Sequence, residues 1–200
     1  MRRPAPATVA AFLAIIAAFA VIVAVLGFAT DGASAVRVGD ARVSERSVNE
    51  ELAAIADRGG DGLRRTDGSI DAATSAGVTS DVVRALLSAS ILGRRDQGIT
   101  GPDRAVARDI LEGGAFDGLP RWFRDRYADR IANVAALARV LGVDFEAPEA
   151  QPTLTAAWRR EARRVGVTVD PAYGRWVGRI AQVVPYSVTP DQIAQARGSG

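Results

Sequence analysis

The sequence predicts a mainly α-helical domain that follows a membrane-targeting helix. Three observations lead to this class: an uncharged apolar run from Val9 to Phe28, five later segments with apolar residues at helical spacing, and a short alternating stretch on either side of them. The alternating stretches, Val36-Arg37-Val38 and Val167-Thr168-Val169, are typical of strands that could pair. The predicted units are a targeting region at 1–35, one helical domain at 36–184 and a disordered tail at 185–200.

The apolar run is long enough to cross a bilayer. Val9 to Phe28 comprises twenty residues of Ala, Val, Ile, Leu, Phe and a single Gly. As a helix it would cover about 30 Å, the thickness of a hydrocarbon core. Arg2 and Arg3 favour a cytoplasmic N-terminus, so we expect a single-pass protein of the cell membrane with an extracytoplasmic domain. Alternatively, Ala33-Ser34-Ala35 has the form of a signal-peptidase site, and cleavage after Ala35 would yield a secreted protein.

Three amino acids are missing from the chain, and their absence restricts its chemistry. The sequence contains no Cys, no His and no Lys, so all 25 basic residues are Arg. Disulfides, lipid-modified cysteines, imidazole bases and lysine nucleophiles are therefore excluded. We expect a protein that is not an enzyme and has no metal or cofactor, with no evident small-molecule substrate. Export also argues against nucleic acid as a partner.

Capping signals divide the domain into five helices. Ser47 and Glu50 have the capping-box spacing at the first helix, with Ser44 as an alternative start. Residues 58–79 contain five glycines and are predicted to form a mobile loop. The later helices are predicted to begin at Thr79-Ser80-Asp81, at Thr100 to Asp103, near Pro120 and after Thr153, and to end at Gly98, Gly113, Gly142 and Gly166.

Three stretches carry a recognisable pattern: residues 36–44 followed by 48–52, residues 82–99, and the closing segment 167–176. They resemble the N-terminal, chaperone-type domain of SurA-like and PrsA-like periplasmic foldases, in the form found in actinobacterial exported proteins, and the closing segment is similar to the family pattern V-x-V-x-P-R-[YF]-G-x-[WF]. Ala172 stands where that pattern has Arg. The residues that carry the motif, with an expected structural role, are Gly39, Asp40, Pro171, Tyr173, Gly174 and Trp176.

The resemblance implies a chaperone-like module that binds unfolded or exported polypeptides. The full foldases carry a parvulin domain whose active site uses histidines, and this chain has neither the room nor the His. Prolyl isomerase activity of that type is therefore not expected. The mechanism would be apolar contact in a groove between helices, with loop 58–79 adjusting its mouth. The alternative is a non-catalytic assembly or scaffold protein of the cell envelope that binds one folded partner.

Two clusters of side chains are candidate binding surfaces. Trp122, Phe123, Arg126 and Tyr127 bring aromatic and basic groups together at the start of the fourth helix, as a peptide-binding surface would. The alternative interpretation places Phe123 and Tyr127 in the core and Arg126 on a solvated face with Arg130, which leaves Trp122 exposed.

The second cluster is a run of arginines on the fifth helix, formed by Arg159, Arg160, Arg163 and Arg164. These side chains could contact acidic lipid headgroups if the domain lies at a membrane. A plain solvated helix face is the alternative interpretation.

Overall fold

Five helices and five short strands make up the part of the chain that the computed structural model describes, residues 33–59, 63, 70–112, 114 and 116–186. The helices are α1 Glu45–Gly59, α2 Ala72–Arg94, α3 Gly101–Glu112, α4 Arg121–Leu141 and α5 Ala150–Val165. The strands are β1 Ser34–Val38, β2 Ala41–Ser44, β3 Val167–Val169, β4 Arg175–Val177 and β5 Gln182–Val184. The predicted class, mainly helical with short antiparallel strands, is confirmed.

The first and last predicted strands pair, as the alternating stretches indicated. β1 is the central strand of a three-stranded antiparallel sheet in the order β2-β1-β3, with Val36 opposite both Val43 and Val169. β1 begins at Ser34, two residues before the predicted domain boundary. Ala35 is fully buried, and its carbonyl accepts a hydrogen bond from the backbone N–H of Asp170 at 2.8 Å.

α2 is the core helix of the domain. It packs against α1, α4, α5, β1 and β5, and buried apolar residues such as Val83 and Leu87 run along it. Among the described residues it is the one helix long and apolar enough to span a membrane, although 61% of the apolar stretch is buried inside the domain. The predicted span at residues 9–28 lies outside the described residues.

The predicted start of α2 at Thr79-Ser80-Asp81 is wrong. Asp71 caps the helix, because its carboxylate accepts the backbone N–H groups of Ala73 and Thr74. Thr79 and Ser80 lie in the helix interior, where their hydroxyls donate to the carbonyls four residues earlier, at 2.8 and 2.7 Å. Residues 72–79 of the predicted loop are therefore helical, and residues 60–62 and 64–69 lie outside the described part.

The predicted start of α1 at Ser47 is wrong because Ser47 lies inside the helix, whereas the alternative start at Ser44 and the capping pair predicted for α3 are correct. The hydroxyl of Ser44 accepts the backbone N–H of Ser47 at 3.2 Å, so the alternative start of α1 is correct. The carboxylate of Asp103 accepts both the backbone N–H and the hydroxyl of Thr100, at 2.7 and 2.6 Å, which closes the predicted capping pair at α3.

Helices α4 and α5 end at glycines as predicted, and α5 starts earlier than predicted. Gly142 after α4 and Gly166 after α5 both have positive φ angles, 72° and 77°. α5 begins at Ala150, so Pro152 lies in its first turn, where no N–H is required for the helix hydrogen bonds. The predicted linker to Thr153 was therefore too long.

A second hairpin, β4–β5, was not predicted and covers α2. Ser80 lies opposite this hairpin, and its hydroxyl accepts the backbone N–H of Val183 at 2.9 Å. The guanidinium of Arg84 donates to the carbonyl of Ala181 at 3.0 Å. These contacts attach the chain up to Val184 to the core, whereas residues 187–200 of the predicted tail lie outside the described residues.

The described residues contain a complete core. Its buried apolar side chains extend from Ala35 near one end to Val183 near the other. Within the described part, every buried side-chain nitrogen and oxygen has a hydrogen-bond partner. A fragment comprising residues 33–186 therefore contains the packing and the polar pairing that the domain needs, and we expect it to fold on its own.

Candidate functional site

A groove runs between α3 and α4 because small side chains meet where these helices pack. Ala107 and Ala132 are almost completely buried at this contact. The cavity above them measures about 720 Å³, and we call it the α3–α4 groove. Its floor is formed by Ala107, Leu111, Ala128 and Ala132, and its rim by Arg104, Arg108, Arg121, Arg124, Glu112, Asp117, Asp125 and Asp129.

The rim of the α3–α4 groove carries charges of both signs in equal number. Arg121 and Asp125 form an exposed ion pair with 3.6 Å between nitrogen and oxygen. Burial raises the pKa of Asp129, and the charge of Asp125 adds to this, while Arg104 opposes it. The groove thus offers apolar contact at its floor and ion pairing at its rim, which suits a ligand that carries both kinds of group.

The predicted peptide-binding cluster is split by the fold. Trp122 is 38% exposed, and the guanidinium of Arg126 lies 4.9 Å from its ring centroid. Phe123 is buried and Tyr127 is half-buried, and both belong to a small hydrophobic cluster that includes Leu119. The core interpretation of these two residues is therefore correct, and only Trp122 and Arg126 of the four remain accessible.

Tyr127 is held in the core by an acidic partner. Its hydroxyl donates to a carboxylate oxygen of Asp81 at 3.4 Å. Burial, assisted by the negative charge of Asp81, raises the pKa of Tyr127 to about 12. Burial also raises the pKa of Asp81, against the opposing charges of Arg84 and Arg130. Tyr127 therefore acts as a neutral hydrogen-bond donor at physiological pH.

The interpretation of Arg130 as part of a solvated face is wrong. Its guanidinium forms a two-pronged ion pair with Glu51 of α1, with 2.6 Å between one nitrogen–oxygen pair, and the Glu51 side chain is 1% exposed. The sequence could have predicted a buried ion pair at Glu51, because this residue shares the face of α1 that carries Val48 and Leu52. A carboxylate on an apolar helix face indicates a buried cationic partner.

The predicted basic patch on α5 is also divided. Glu161 is 2% exposed and accepts hydrogen bonds from Ser90, Arg94 and Arg164 at 2.7, 3.0 and 2.6 Å. Arg164 therefore belongs to an ion-pair cluster around a buried carboxylate, although its own side chain is 52% exposed. The other three members of the patch are exposed and form no ion pair with any described residue.

Two of these arginines line a second groove, which we call the basic groove. Arg159 and Arg163 of α5 face Val167 of β3, and the β4–β5 hairpin contributes Trp176 and Arg179. The cavity measures about 410 Å³, and no carboxylate lines it. Arg179 and Trp176 were not predicted as members of this groove because the hairpin was not predicted. The excess of positive charge could have indicated a basic site, since residues 150–186 contain six arginines and only two acids.

The motif residues lie in turns and in the closing segment of the chain. Gly39 and Asp40 form the turn between β1 and β2, with φ of 57° at the glycine. The hydroxyl of Tyr173 donates to the side-chain oxygen of Asn49 at 2.9 Å, which links the closing segment to α1. The remaining members are Pro171 in a short 3₁₀ helix, Gly174 at the start of the hairpin and Trp176 in the basic groove.

The ion-pair cluster around Glu161 predicts a pH-dependent stability. The hydrogen bond from Arg164, with those from Ser90 and Arg94, lowers the pKa of Glu161 from 4.5 to about 2, although burial opposes the shift. A lowered pKa stabilises the fold fully above pH 4.5, and this contribution is lost as the pH falls towards 2. The shift corresponds to about 3 kcal/mol, and solvent screening of the half-exposed arginines reduces our expectation to about 2 kcal/mol.

We therefore expect Glu161→Gln to destabilise the domain by about 2 kcal/mol at neutral pH and to leave it as stable as the wild type near the folded-state pKa. Urea unfolding of both proteins across this pH range measures the difference. Glu146→Gln is the matched control, because Glu146 is exposed and forms no ion pair among the described residues. A difference between wild type and Glu161→Gln that does not change with pH would contradict the prediction.

Comparison with known proteins adds no relative. No protein-family model matches the chain, and no curated protein or solved structure is significantly similar to it. The resemblance to the SurA-type domain therefore stays a prediction that rests on the sequence motifs.

Proposed function

We propose that this chain is an extracytoplasmic, membrane-tethered, chaperone-like protein that binds unfolded or exported polypeptides in the α3–α4 groove, without enzymatic activity. The observation that carries the proposal is the composition of this groove. Its floor consists of alkyl side chains, and its rim has four arginines and four carboxylates.

An unfolded polypeptide matches these features better than a small molecule does. Unfolded chains present apolar side chains together with charges of either sign, so a rim of both signs can pair with many sequences. Trp122, which directly follows Arg121 in α4, is a further exposed aromatic side chain at this end of the helix, although it does not line the groove itself. Aromatic and Arg side chains are enriched where proteins bind one another.

The membrane part of the proposal rests on the sequence. The apolar segment 9–28 is suited to span a bilayer, and β1 begins at Ser34, six residues after Phe28. A linker of this length reaches about 20 Å at most. The domain would therefore stay close to the membrane surface, where exported chains emerge. The absence of His, Cys and Lys supports a role based on binding.

Filling the groove tests its role. Ala128 is half-buried in the floor, so Ala128→Trp should occupy the space that a client side chain needs. We expect the wild-type fragment 33–186 to suppress aggregation of an unfolded client, and the Ala128→Trp variant to lose most of this effect. Light scattering during dilution of a denatured client measures it.

Ala53→Trp is the control, since Ala53 is exposed on α1, outside the groove. This variant should suppress aggregation as the wild type does. No suppression by the wild-type fragment at molar excess would reject the chaperone-like function. Equal activity of Ala128→Trp and wild type would reject the groove as its site.

A second candidate function is favoured because the exposed side chain of Trp122 is held in one position. Trp122 is stacked under Arg126, which in turn contacts Glu50 at 3.4 Å, so the ring is held in place before any partner binds. Preordered Trp and Arg side chains are typical of binding hot spots between folded proteins. A scaffold that binds one folded partner would return a single stoichiometric protein in a pull-down, and Trp122→Ala would abolish its capture.

A further inference from the structure

The basic groove has a charge distribution unlike that of the α3–α4 groove. Arg159, Arg163 and Arg179 line it from two separate elements, and no carboxylate of the described residues forms an ion pair with them. Three like charges around one cavity repel one another, and this cost is offset when an anion enters. The arrangement therefore points to an anionic ligand.

The chemistry of the lining favours phosphate over a simple carboxylate. Guanidinium groups donate several hydrogen bonds in a plane and bind phosphate oxygens in pairs. Three such groups line this one cavity, two from α5 and one from the β4–β5 hairpin, so a single tetrahedral anion can pair with more than one of them. A cavity of about 410 Å³ is larger than a bare phosphate needs, so it has room for the group that carries the phosphate.

We propose that the basic groove binds the phosphate of an anionic phospholipid headgroup. This proposal rests on the membrane location in the proposed function. Val167 at the edge of the groove pairs with Val38, four residues from Ser34 where the chain enters the domain. At about 3.4 Å per residue, the groove lies about 14 Å along the sheet from the end of the membrane linker.

Trp176 strengthens the assignment to a lipid over a soluble phosphate. Its half-buried side chain lines the groove beside Arg179. Tryptophan favours the headgroup region of a bilayer, where its ring contacts acyl chains while its N–H reaches polar groups. A soluble phosphate would need only the arginines. The combination of three arginines with an aromatic side chain and Val167 therefore fits a headgroup with its attached glycerol.

Vesicle binding by fragment 33–186, which lacks the apolar segment, tests the proposal. We expect the fragment to sediment with vesicles of phosphatidylcholine mixed with phosphatidylglycerol, and not with pure phosphatidylcholine. The triple variant Arg159→Gln, Arg163→Gln and Arg179→Gln should bind the mixed vesicles on the order of 100-fold more weakly. Added salt should weaken the wild-type binding, because exposed charges are screened.

A second triple variant controls for the loss of charge. Arg104→Gln, Arg108→Gln and Arg124→Gln remove the same charge from exposed positions on the α3–α4 rim, and most vesicle binding should remain. The single variant Arg179→Gln, which changes only the hairpin, should still weaken binding measurably. Equal losses in the two triple variants would overturn the proposal, as would equal affinity for both vesicle types.

A soluble phosphate ester separates the two possible sources of the ligand. Glycerol phosphate should displace the wild-type fragment from mixed vesicles only weakly, and binding of this ester as tight as vesicle binding would overturn the lipid assignment. The assay contains no client polypeptide, so its outcome is independent of the chaperone-like function. The basic-groove triple variant should in turn suppress client aggregation as the wild type does.

Discussion

Replacement of Glu51 by Ala is expected to lower the free energy of unfolding by about 3–5 kcal/mol. Glu51 is 1% exposed, and its carboxylate neutralises the guanidinium of Arg130, which is itself 15% exposed. Removal of the carboxylate leaves a cation in the interface between α1 and α4, where no other carboxylate of the described residues forms an ion pair with it and Asp81 acts only at longer range. Arg126, at 3.9 Å from Glu51, would add repulsion to this cost.

The neighbouring residue provides the control for this substitution. Glu50 is 40% exposed and contacts Arg46 and Arg126, so Glu50→Ala should cost less than about 1 kcal/mol. The double variant Glu51→Leu with Arg130→Met removes both buried charges and should recover most of the lost stability. Denaturant unfolding of the four proteins measures these values, and a cost for Glu51→Ala no larger than that for Glu50→Ala would contradict the prediction.

Gly174→Ala is expected to destabilise the domain by about 3 kcal/mol or more, because two effects combine. Gly174 has a φ of 116°, in a region that side chains with a Cβ rarely adopt. An added Cβ would lie 2.5 Å from the carbonyl oxygen of Val184 and 2.9 Å from a methyl carbon of Val183. The second strand of the hairpin would have to move away, and Ser80 would lose its hydrogen bond with Val183.

Gly77→Ala serves as the control and should have the opposite sign. Gly77 is exposed within α2, and an added Cβ would meet no atom within 4 Å. Alanine is favoured over glycine in a helix by about 1 kcal/mol, so this variant should be more stable than the wild type. Thermal unfolding compares the two. A melting temperature for Gly174→Ala equal to that of the wild type would contradict the tight approach of β5.

Local signals predicted much of this fold because they act through neighbouring residues. Thr100 with Asp103 and the glycine after α4 were predicted correctly, since a cap depends on residues within one turn. The start of α2 was not, because Thr79 and Ser80 look like a cap in sequence. Their hydroxyls instead bond within the helix and, for Ser80, with a strand about one hundred residues later.

The candidate sites could likewise be predicted only where they depend on residues close together in the sequence. Exposure of Trp122 was expected from the pattern of α4, because its neighbours Phe123 and Tyr127 occupy the apolar stripe. The partner of Arg130 lies on another helix, and Arg179 reaches the basic groove only because its hairpin packs beside α5. Such pairings depend on tertiary contacts between distant segments, which periodicity and spacing do not specify.

The position of β1 at the centre of its sheet restricts when the proposed cleavage after Ala35 could occur. The bond that follows Ala35 is accessible to a peptidase only while the chain is extended and unpaired. Once β2 and β3 have joined β1, the bond lies in the middle strand, with Ala35 fully buried. For the membrane-tethered protein that we propose, folding after translocation would compete with cleavage, and a molecule that folds first would keep its tether.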